Sequence, residues 1–244
     1  MKRLFTYLLA SVMLLFSSCS DVCDCFYGSG PLSTEERSLG KIDGIYLTSN
    51  VDLILYEDSV PRMRVTAGKN LIDGIEAKIE NGILRVRNKN KCNWIRKMDP
   101  TLTLEIWTNN LQSLYVENAS GDVTCMDSIN TYLFRFDSFN CLGNYRLKLN
   151  TTYATLALHN GPADLYVEGR VLTQYNYNAG YGKMNCVNLQ SDNVFMRNKG
   201  TNDVLVTSTQ KLEAEIGYIG NIYYKGNPAE IKSQITGSGK LIKL

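Results

Sequence analysis

The sequence "TGSGKLIKL", residues 236–244, is the last copy of a short motif that recurs along the chain. Related segments are "NASGDVTC" from residue 118, "NCLGNYRL" from 140, "NGPADLYV" from 160, "AGYGKMNC" from 179, "KGTNDVLV" from 199 and "YIGNIYY" from 218. Successive copies are 22, 20, 19, 20, 18 and 19 residues apart. A near-constant period over seven units is typical of a solenoid, in which each coil of chain stacks on the next.

The central position of the motif is a predicted turn. Glycine fills it in five of the seven copies, and Ala163 and Asn202 fill it in the other two. Glycine readily adopts positive φ, and Asn does so more often than most residues. The pattern therefore predicts a left-handed backbone conformation at this turn. The seven turn residues are Gly121, Gly143, Ala163, Gly182, Asn202, Gly220 and Gly239.

The residues after the turn alternate in polarity. The first is polar in every copy, the second is apolar, and the fourth is apolar in all copies but the last. Residues two apart on a strand point to the same side of a sheet, so we predict two inward-facing columns. Lys243 ends the second column, where the last coil has no neighbour. The columns are Val123, Tyr145, Leu165, Met184, Val204, Ile222 and Leu241, and Cys125, Leu147, Val167, Cys186, Val206, Tyr224 and Lys243; the polar positions are Asp122, Asn144, Asp164, Lys183, Asp203, Asn221 and Lys240.

These patterns predict an all-β protein, a single-stranded β-solenoid with coils of about 20 residues. The repeats cover about residues 114–244, and an N-terminal β region is expected to cap them. The composition agrees, because 44% hydrophobic residues with 19 Gly and only five Pro suit many strands joined by tight turns. No linker interrupts the chain, so we predict one domain over residues 40–244.

The N-terminal β region contains a predicted hairpin. The segment "AKIENGILRV", residues 77–86, holds an Asn-Gly pair that favours a two-residue turn. Opposition across this turn places Ile79 against Leu84 and Ala77 against Val86, on one face.

Two cysteines belong to the repeats. Cys125 and Cys186 occupy the same column three coils apart, about 14 Å at the usual strand spacing. A disulfide needs Cα atoms within about 7 Å. We therefore predict that both are core residues and that they form no bridge.

The N-terminus has the pattern of an export signal. Lys2 and Arg3 precede an apolar run over residues 4–16, followed by two serines and Cys19. This order predicts a signal peptide at residues 1–18. The run is too short for a membrane span, since 13 helical residues cover about 20 Å of a core of about 30 Å. "FSSC" resembles the lipobox of bacterial lipoproteins, so we expect acylation of Cys19 and insertion of its acyl chains into a lipid bilayer.

Residues 19–39 are predicted to be the lipidated N-terminus and a flexible tether. Cys23 and Cys25 lie in it, and their pairing stays open. Anchoring in the cell envelope is expected, with the outer membrane favoured and the choice of membrane and of its face left open. Loss of residues 1–18 removes two of 26 basic residues, which leaves as many as the 24 acidic ones. A formally neutral protein has no electrostatic basis for binding nucleic acid.

Four segments together resemble the putative auto-transporter adhesin, head GIN domain family, over about residues 40–244. They are "IDGIYLTSNVDLILYE" from residue 42, "KNLIDGIEAKIENGILRVRNK" from 69, "ASGDV" from 119 and the ending "YYKGNPAEIKSQITGSGKLIKL". The resemblance implies a secreted or lipid-anchored protein with a β-helix-like fold and an adhesin-like role. It supplies no catalytic residues. Pro162, Asn202 and Ile219 depart from the family's more uniform "GSGDV" units, so the coils are not expected to be identical.

The sequence predicts no catalytic residue, metal or cofactor. "GSGK" at residues 237–240 is similar to part of a phosphate-binding loop, but Leu241 replaces the Mg²⁺-binding Ser or Thr and no helix follows. The polar column mixes Asp, Asn and Lys, and Ca²⁺-binding β-helix repeats have a different period. His159 and Cys141, in neighbouring coils, are candidates for a Cys-His pair, but no orienting acid is evident and we predict that both only pack.

A late cluster of tyrosines is the best candidate binding face. Aromatic rings on a rigid sheet can contact sugar rings, although Tyr is also a common strand residue that half-buries its ring, and we favour this packing role. A basic segment at residues 88–100 is a second surface, which we interpret as a solvated loop. The candidate residues are Tyr175, Tyr177, Tyr181, Tyr218 and Tyr223, with Tyr224 beside them.

We therefore expect a non-enzymatic cell-envelope lipoprotein that acts as an adhesin-like scaffold or interaction module, with a surface glycan or a protein as partner. A glycan-binding protein that uses the tyrosine face is the first alternative. A carbohydrate-active enzyme on the same fold is the second.

Overall fold

The computed structural model of the chain describes residues 28–90 and 102–244. The predicted signal peptide, Cys19, Cys23, Cys25 and most of the basic segment lie outside these residues. The described part contains eighteen β-strands and a short 3₁₀ turn, Ile72–Gly74. None of its segments is a helix long and apolar enough to cross a membrane. The strands are β1 (Leu32–Ser38), β2 (Gly44–Leu47), β3 (Asp52–Glu57), β4 (Arg62–Gly68), β5 (Ile75–Glu80), β6 (Ile83–Asn88), β7 (Thr103–Thr108), β8 (Ser113–Glu117), β9 (Val123–Cys125), β10 (Ile129–Phe139), β11 (Asn144–Leu158), β12 (Asp164–Asn178), β13 (Met184–Asn198), β14 (Val204–Thr207), β15 (Lys211–Ile216), β16 (Ile222–Lys225), β17 (Glu230–Ile235) and β18 (Leu241–Lys243).

Fifteen of the eighteen strands form two walls of parallel strands. The first wall is β7, β3, β9, the first parts of β11, β12 and β13, then β14, β16 and β18. The second wall is β6, β2, β8, β10, the last parts of β11, β12 and β13, then β15 and β17. In β11 the alternation of buried residues runs to Thr151 and resumes out of phase at Ala154. This change of phase marks the bend between the walls.

The strand register confirms the predicted solenoid repeat. Each member of the first apolar column pairs with the same position in the next coil, so the spacings of 18 to 22 residues are those of the coils. The column is fully buried from Val123 to Ile222. The second column is buried from Cys125 to Val206, and Lys243 is exposed as predicted.

The N-terminal half extends these columns as well as capping them. Leu53 in β3 pairs with Val123 on one side and with Leu104 on the other. The coil formed by β2 and β3 therefore lies between the β6–β7 coil and the β8–β9 coil, although it precedes both in the sequence. The antiparallel strands β1, β4 and β5 supply the predicted cap at this end.

The predicted hairpin is confirmed. β5 and β6 pair antiparallel, with Ala77 opposite Val86 and Ile79 opposite Leu84. The two turn residues, Asn and Gly, have φ angles of 51° and 77°, as this turn requires.

β1 corrects the predicted extent of the tether. The sequence predicts a flexible segment up to residue 39, but Leu32–Ser38 pairs with β4 along its whole length. Arg37 fixes this strand further by donating hydrogen bonds to the carbonyl oxygens of Ile75 and Ile72, at 2.7 and 3.3 Å. "LSTEERS" is too polar to predict a strand on its own, because an edge strand covered on one side needs few apolar residues.

The backbone conformation of the motif turn also differs from the prediction. Positive φ occurs at none of the seven turn residues. Glycine is needed there because consecutive coils approach closely: a Cβ atom at Gly182 would lie 1.7 Å from the carbonyl oxygen of Ala163, and one at Gly143 would lie 2.1 Å from that of Gly121. We call this edge of the solenoid the glycine corner, and it is formed by the seven turn residues.

The polar column beside the glycine corner has a structural role. Asp122 accepts a hydrogen bond of 2.7 Å from the main-chain N–H of Asn144 in the next coil. Asp203 does the same for Asn221 at 2.9 Å, and Asn221 for Lys240 at 2.8 Å. Asp and Asn are therefore frequent in this column because their oxygens satisfy main-chain donors that the turn leaves unpaired.

Candidate binding groove

The five candidate tyrosines do not share one face. Tyr175 and Tyr177 lie two residues apart on the outer side of β12, in the second wall. Tyr181 and Tyr218 lie at the glycine corner, two coils apart, and are 65% and 51% exposed. Tyr223 lies on β16, in the first wall. Of these five tyrosines, the structure brings only Tyr175 and Tyr177 together. Tyr181 is four to six residues further along the chain, and this distance is enough to carry it from the second wall to the glycine corner.

A groove of about 670 Å³ runs along the outer side of the second wall. Its two sides are columns of equivalent residues on neighbouring strands, and its floor is the backbone between them, as at Ala214 and Ser233. The groove therefore crosses the strands and runs parallel to the solenoid axis. Its volume is within the range of about 300–1,000 Å³ that is usual for ligand pockets. One side of this axial groove is Tyr175, Phe195, Glu213 and Lys232, and the other is Tyr177, Arg197, Glu215 and Gln234.

The aromatic rings of the groove form a ladder. Tyr175 and Phe195 stack with ring centroids 4.9 Å apart and planes 13° apart. The ammonium group of Lys211 lies 5.2 Å from the centroid of Phe195. Above Tyr175 the paired residue is Thr155, which has no ring. Phe195 therefore packs on one face of Tyr175, and the other face stays uncovered by another ring within the described part of the chain.

Each charged residue that lines the groove has an ion-pair partner, and Lys232 pairs with Glu230 at 2.7 Å. Arg197 Nε lies 2.5 Å from Glu215 Oε2, and Lys199 Nζ lies 3.6 Å from Oε1. Lys211 lies 2.8 Å from Glu213. These two carboxylates are two residues apart on β15 and face the same groove, but each already binds a cation. The groove is thus close to electrical neutrality along its length.

His159 has an orienting acid that sequence reasoning missed. Its Nε2 lies 2.8 Å from Oδ1 of Asp137, a carboxylate that is 1% exposed. Arg135 binds the same carboxylate, with Nε 2.5 Å from Oδ2. Asp137 is 22 residues before His159, so only the register between coils could have shown the contact.

Cys141 does not take part in this cluster. Its thiol bonds the carbonyl oxygen of Phe139 at 3.1 Å. The ring of Phe139 stacks on His159, with centroids 4.0 Å apart. Both residues of the considered Cys-His pair therefore have packing contacts, and His159 pairs with Asp137 in place of the thiol.

The other cysteines of the described chain are inert core residues. Cys125 and Cys186 are free and buried, as predicted, and burial raises the pKa of each thiol to about 12. A thiol with such a pKa is neither a nucleophile nor a metal ligand at neutral pH. Residues 28–90 and 102–244 also contain no group of three or more His, Cys, Asp or Glu side chains that could hold a metal ion.

The fold is a β-solenoid, and solved structures share it. A putative adhesin from Bacteroides fragilis NCTC 9343 matches with a TM-score of 0.79 and 18% identity, covering 88% of this chain and 97% of that one. A putative adhesin from Parabacteroides merdae ATCC 43184 matches with a TM-score of 0.67 and 17% identity, covering 89% and 98%. A putative lipid binding protein from Parabacteroides distasonis ATCC 8503 matches with a TM-score of 0.68 and 22% identity, also covering 89% and 98%.

The family follows from the sequence itself. Residues 42–228 match the family described as putative auto-transporter adhesin, head GIN domain. The chain belongs to this family, as its segments indicated. No match was found among curated proteins.

Proposed function

We propose that the chain is a non-enzymatic, adhesin-like binding module of the cell envelope, exported by residues 1–18 and anchored through acylated Cys19. The observation that carries the binding role is the axial groove, a ligand-sized depression on the outside of a rigid solenoid. The family description and the adhesin names of the structural neighbours support the same role.

Retention on coated surfaces tests the binding role. Liposomes that carry the full-length protein are applied to wells coated separately with collagen, mucin or mannan. Retention above that of empty liposomes on at least one surface is expected. It should fall at least tenfold in a Tyr175→Ala/Arg197→Ala variant, because both sides of the groove change. Tyr181→Ala, an exposed tyrosine at the glycine corner, is the matched control.

Equal retention of wild-type and empty liposomes on every surface would contradict the proposal. The same assay tests the non-enzymatic part. Release of new reducing ends from mannan, lost in Glu213→Gln or Glu215→Gln, would support the carbohydrate-active alternative instead.

Metabolic labelling with radioactive palmitate tests the anchor. We expect incorporation into the wild type and none into Cys19→Ala, while Cys23→Ala keeps the label. Incorporation that survives Cys19→Ala would show that the anchor site is wrong.

A further inference from the structure

The axial groove has a direction that restricts its ligand. It crosses five neighbouring strands, from Thr155 in β11 to Gln234 in β17, a distance of about 19 Å at the usual strand spacing. The main-chain groups beneath it already bond along the walls, as between β13 and β15. A peptide lying along the groove would run across the strands and could not pair with them, and edge pairing is the usual source of affinity for an extended peptide. A polymer recognised by its side groups fits this geometry better.

The repeat of the groove favours a sugar polymer. The strands present a pair of outward side chains, one on each side of the groove, at steps of about 4.8 Å. A pyranose unit in an extended glycan advances by a comparable distance. Each sugar therefore meets a new pair of side chains, such as Arg197 with Phe195 and Glu215 with Glu213.

The charge pattern favours a neutral ligand. Arg197 bonds Glu215 through Nε, so its terminal N–H groups remain as donors, and each carboxylate keeps lone pairs beyond its ion pair. The hydroxyl groups of a sugar can form hydrogen bonds with these ion-paired side chains without separating them. A charged ligand would have to displace a partner that is already in place, such as Lys211 from Glu213.

The end of the groove at Tyr175 supplies an apolar contact. Tyr175 is 44% exposed, and Phe195 covers only one face of its ring. The other face looks towards Thr155, whose side chain is too short to cover it. The C–H face of a terminal pyranose can stack on this ring.

We propose that the axial groove binds a neutral, linear oligosaccharide parallel to the solenoid axis, with one sugar stacked on Tyr175 and hydroxyl groups bonded to Arg197, Glu215 and Gln234. This inference rests on the proposed binding function and names its ligand class.

Calorimetric titration of the full-length protein in nanodiscs tests the proposal. The probes are three neutral hexasaccharides, derived from mannan, xylan and β-1,4-glucan, and one anionic hexasaccharide, hexagalacturonate. Saturable binding of at least one neutral probe is expected. Tyr175→Ala should weaken it at least tenfold, whereas Tyr175→Phe, which keeps the ring, and Tyr181→Ala should stay within threefold.

A second variant tests the same site in case Tyr175→Ala fails to fold. Thr155→Phe extends the ring ladder by one coil and covers the free face of Tyr175, so it should abolish binding while the circular dichroism spectrum is unchanged. Binding that persists in both Tyr175→Ala and Thr155→Phe would overturn the site. Binding of the anionic probe alone, or of no probe, would overturn the ligand class. Retention of the liposomes on collagen without binding of any hexasaccharide would overturn this inference and leave the adhesin-like function standing.

Discussion

The close approach at the glycine corner makes a quantitative prediction at Gly182. A Cβ atom there would lie 1.7 Å from the carbonyl oxygen of Ala163, whereas real Cβ atoms essentially never come within 3.0 Å of such an atom. The two coils would have to separate locally by at least 1.3 Å in Gly182→Ala. Two flanking main-chain hydrogen bonds, of 2.9 Å at Tyr181 and 2.8 Å at Leu165, would be stretched by this movement.

We expect Gly182→Ala to lower the free energy of unfolding by about 3 kcal/mol. Overpacking typically costs about 1–3 kcal/mol, and two weakened hydrogen bonds add about 1 kcal/mol each, less the gain of up to about 1 kcal/mol from a stiffer unfolded chain. Gly217→Ala is the matched control, because its Cβ would meet only flexible side-chain carbons of Lys199, at 3.1 Å or more. We expect a change of less than about 1 kcal/mol for that variant.

A third variant separates the two explanations of the motif turn. If positive φ were the reason for glycine, Gly182→Asn would be clearly more stable than Gly182→Ala. Since the reason is the contact with Ala163, both variants should lose stability to a similar extent. Urea titration followed by circular dichroism and tyrosine fluorescence measures this, and coincident curves check that the solenoid unfolds in one step. A loss below 1 kcal/mol for Gly182→Ala, or a marked advantage for Asn, would refute the contact argument.

The natural exceptions at this position agree with the contact argument. Ala163 has glycine in both neighbouring coils, Gly143 and Gly182, and Asn202 lies between Gly182 and Gly220. Among the seven repeats, no two neighbouring coils both carry a side chain at this position. Gly182→Ala would place three side chains in consecutive coils.

Three further predictions concern the columns and the cap. Asp203→Ala should lower the free energy of unfolding by about 1–2 kcal/mol in urea titration, because it removes the acceptor of two 2.9 Å hydrogen bonds from Asn221, whereas Asp203→Asn, which keeps an oxygen, should lose less. Cys125 and Cys186 should resist iodoacetamide at pH 8 in the native protein and react after unfolding, as peptide mapping by mass spectrometry can show; rapid native alkylation would contradict their burial. Hydrogen bonds from two lysines lower the pKa of Glu76 to about 2, so the stability due to this carboxylate is present above its unfolded pKa of about 4.3 and is lost as the pH falls towards 2. The wild type should therefore lose more stability than Glu76→Gln between pH 5 and pH 2, and parallel pH profiles would refute this.

The repeats could be predicted because each coil has the same order of turn, polar and apolar residues. Alternation near the turn predicts two buried columns, and the constant period predicts their register, so Val123 to Ile222 were assigned correctly. The N-terminal coils follow no constant period. The placement of the β2–β3 coil between two later coils depends on pairings, such as Leu53 with Leu104, that no local pattern encodes.

The candidate site was harder to predict. The alternation of residues along a strand separates its two faces but does not show which face points to the core. The tyrosines were grouped by their closeness in sequence, yet a coil passes a corner within a few residues, as between Tyr177 and Tyr181. The axial groove depends on residues such as Phe195 and Gln234, which are 39 positions apart and line the same groove only through the register of three strands, β13, β15 and β17. The charged residues of the groove did not mark it as a site in the sequence, because single Glu and Arg residues are usual on any solvated face of a strand.

β12 shows what maintains the aromatic side of the groove. In "TQYNYN", residues 173–178, the polar residues Gln174, Asn176 and Asn178 point inward and are at most 4% exposed, while the two tyrosines point outward. Gln174 and Asn176 bond each other at 2.6 Å, but Asn176 Oδ1 has no partner within the described residues, which is a cost in free energy.

A shift of β12 by one residue would bury both tyrosines and expose the amides, so burial alone favours the opposite arrangement. The first half of the same strand prevents that shift, because Leu165 and Val167 are held in the buried columns of the first wall. The structure therefore keeps an unfavourable polar interior in the one strand that contributes two aromatic residues to the groove. An apolar residue at position 176, like Leu156 at the paired position of the preceding coil, would not carry this cost.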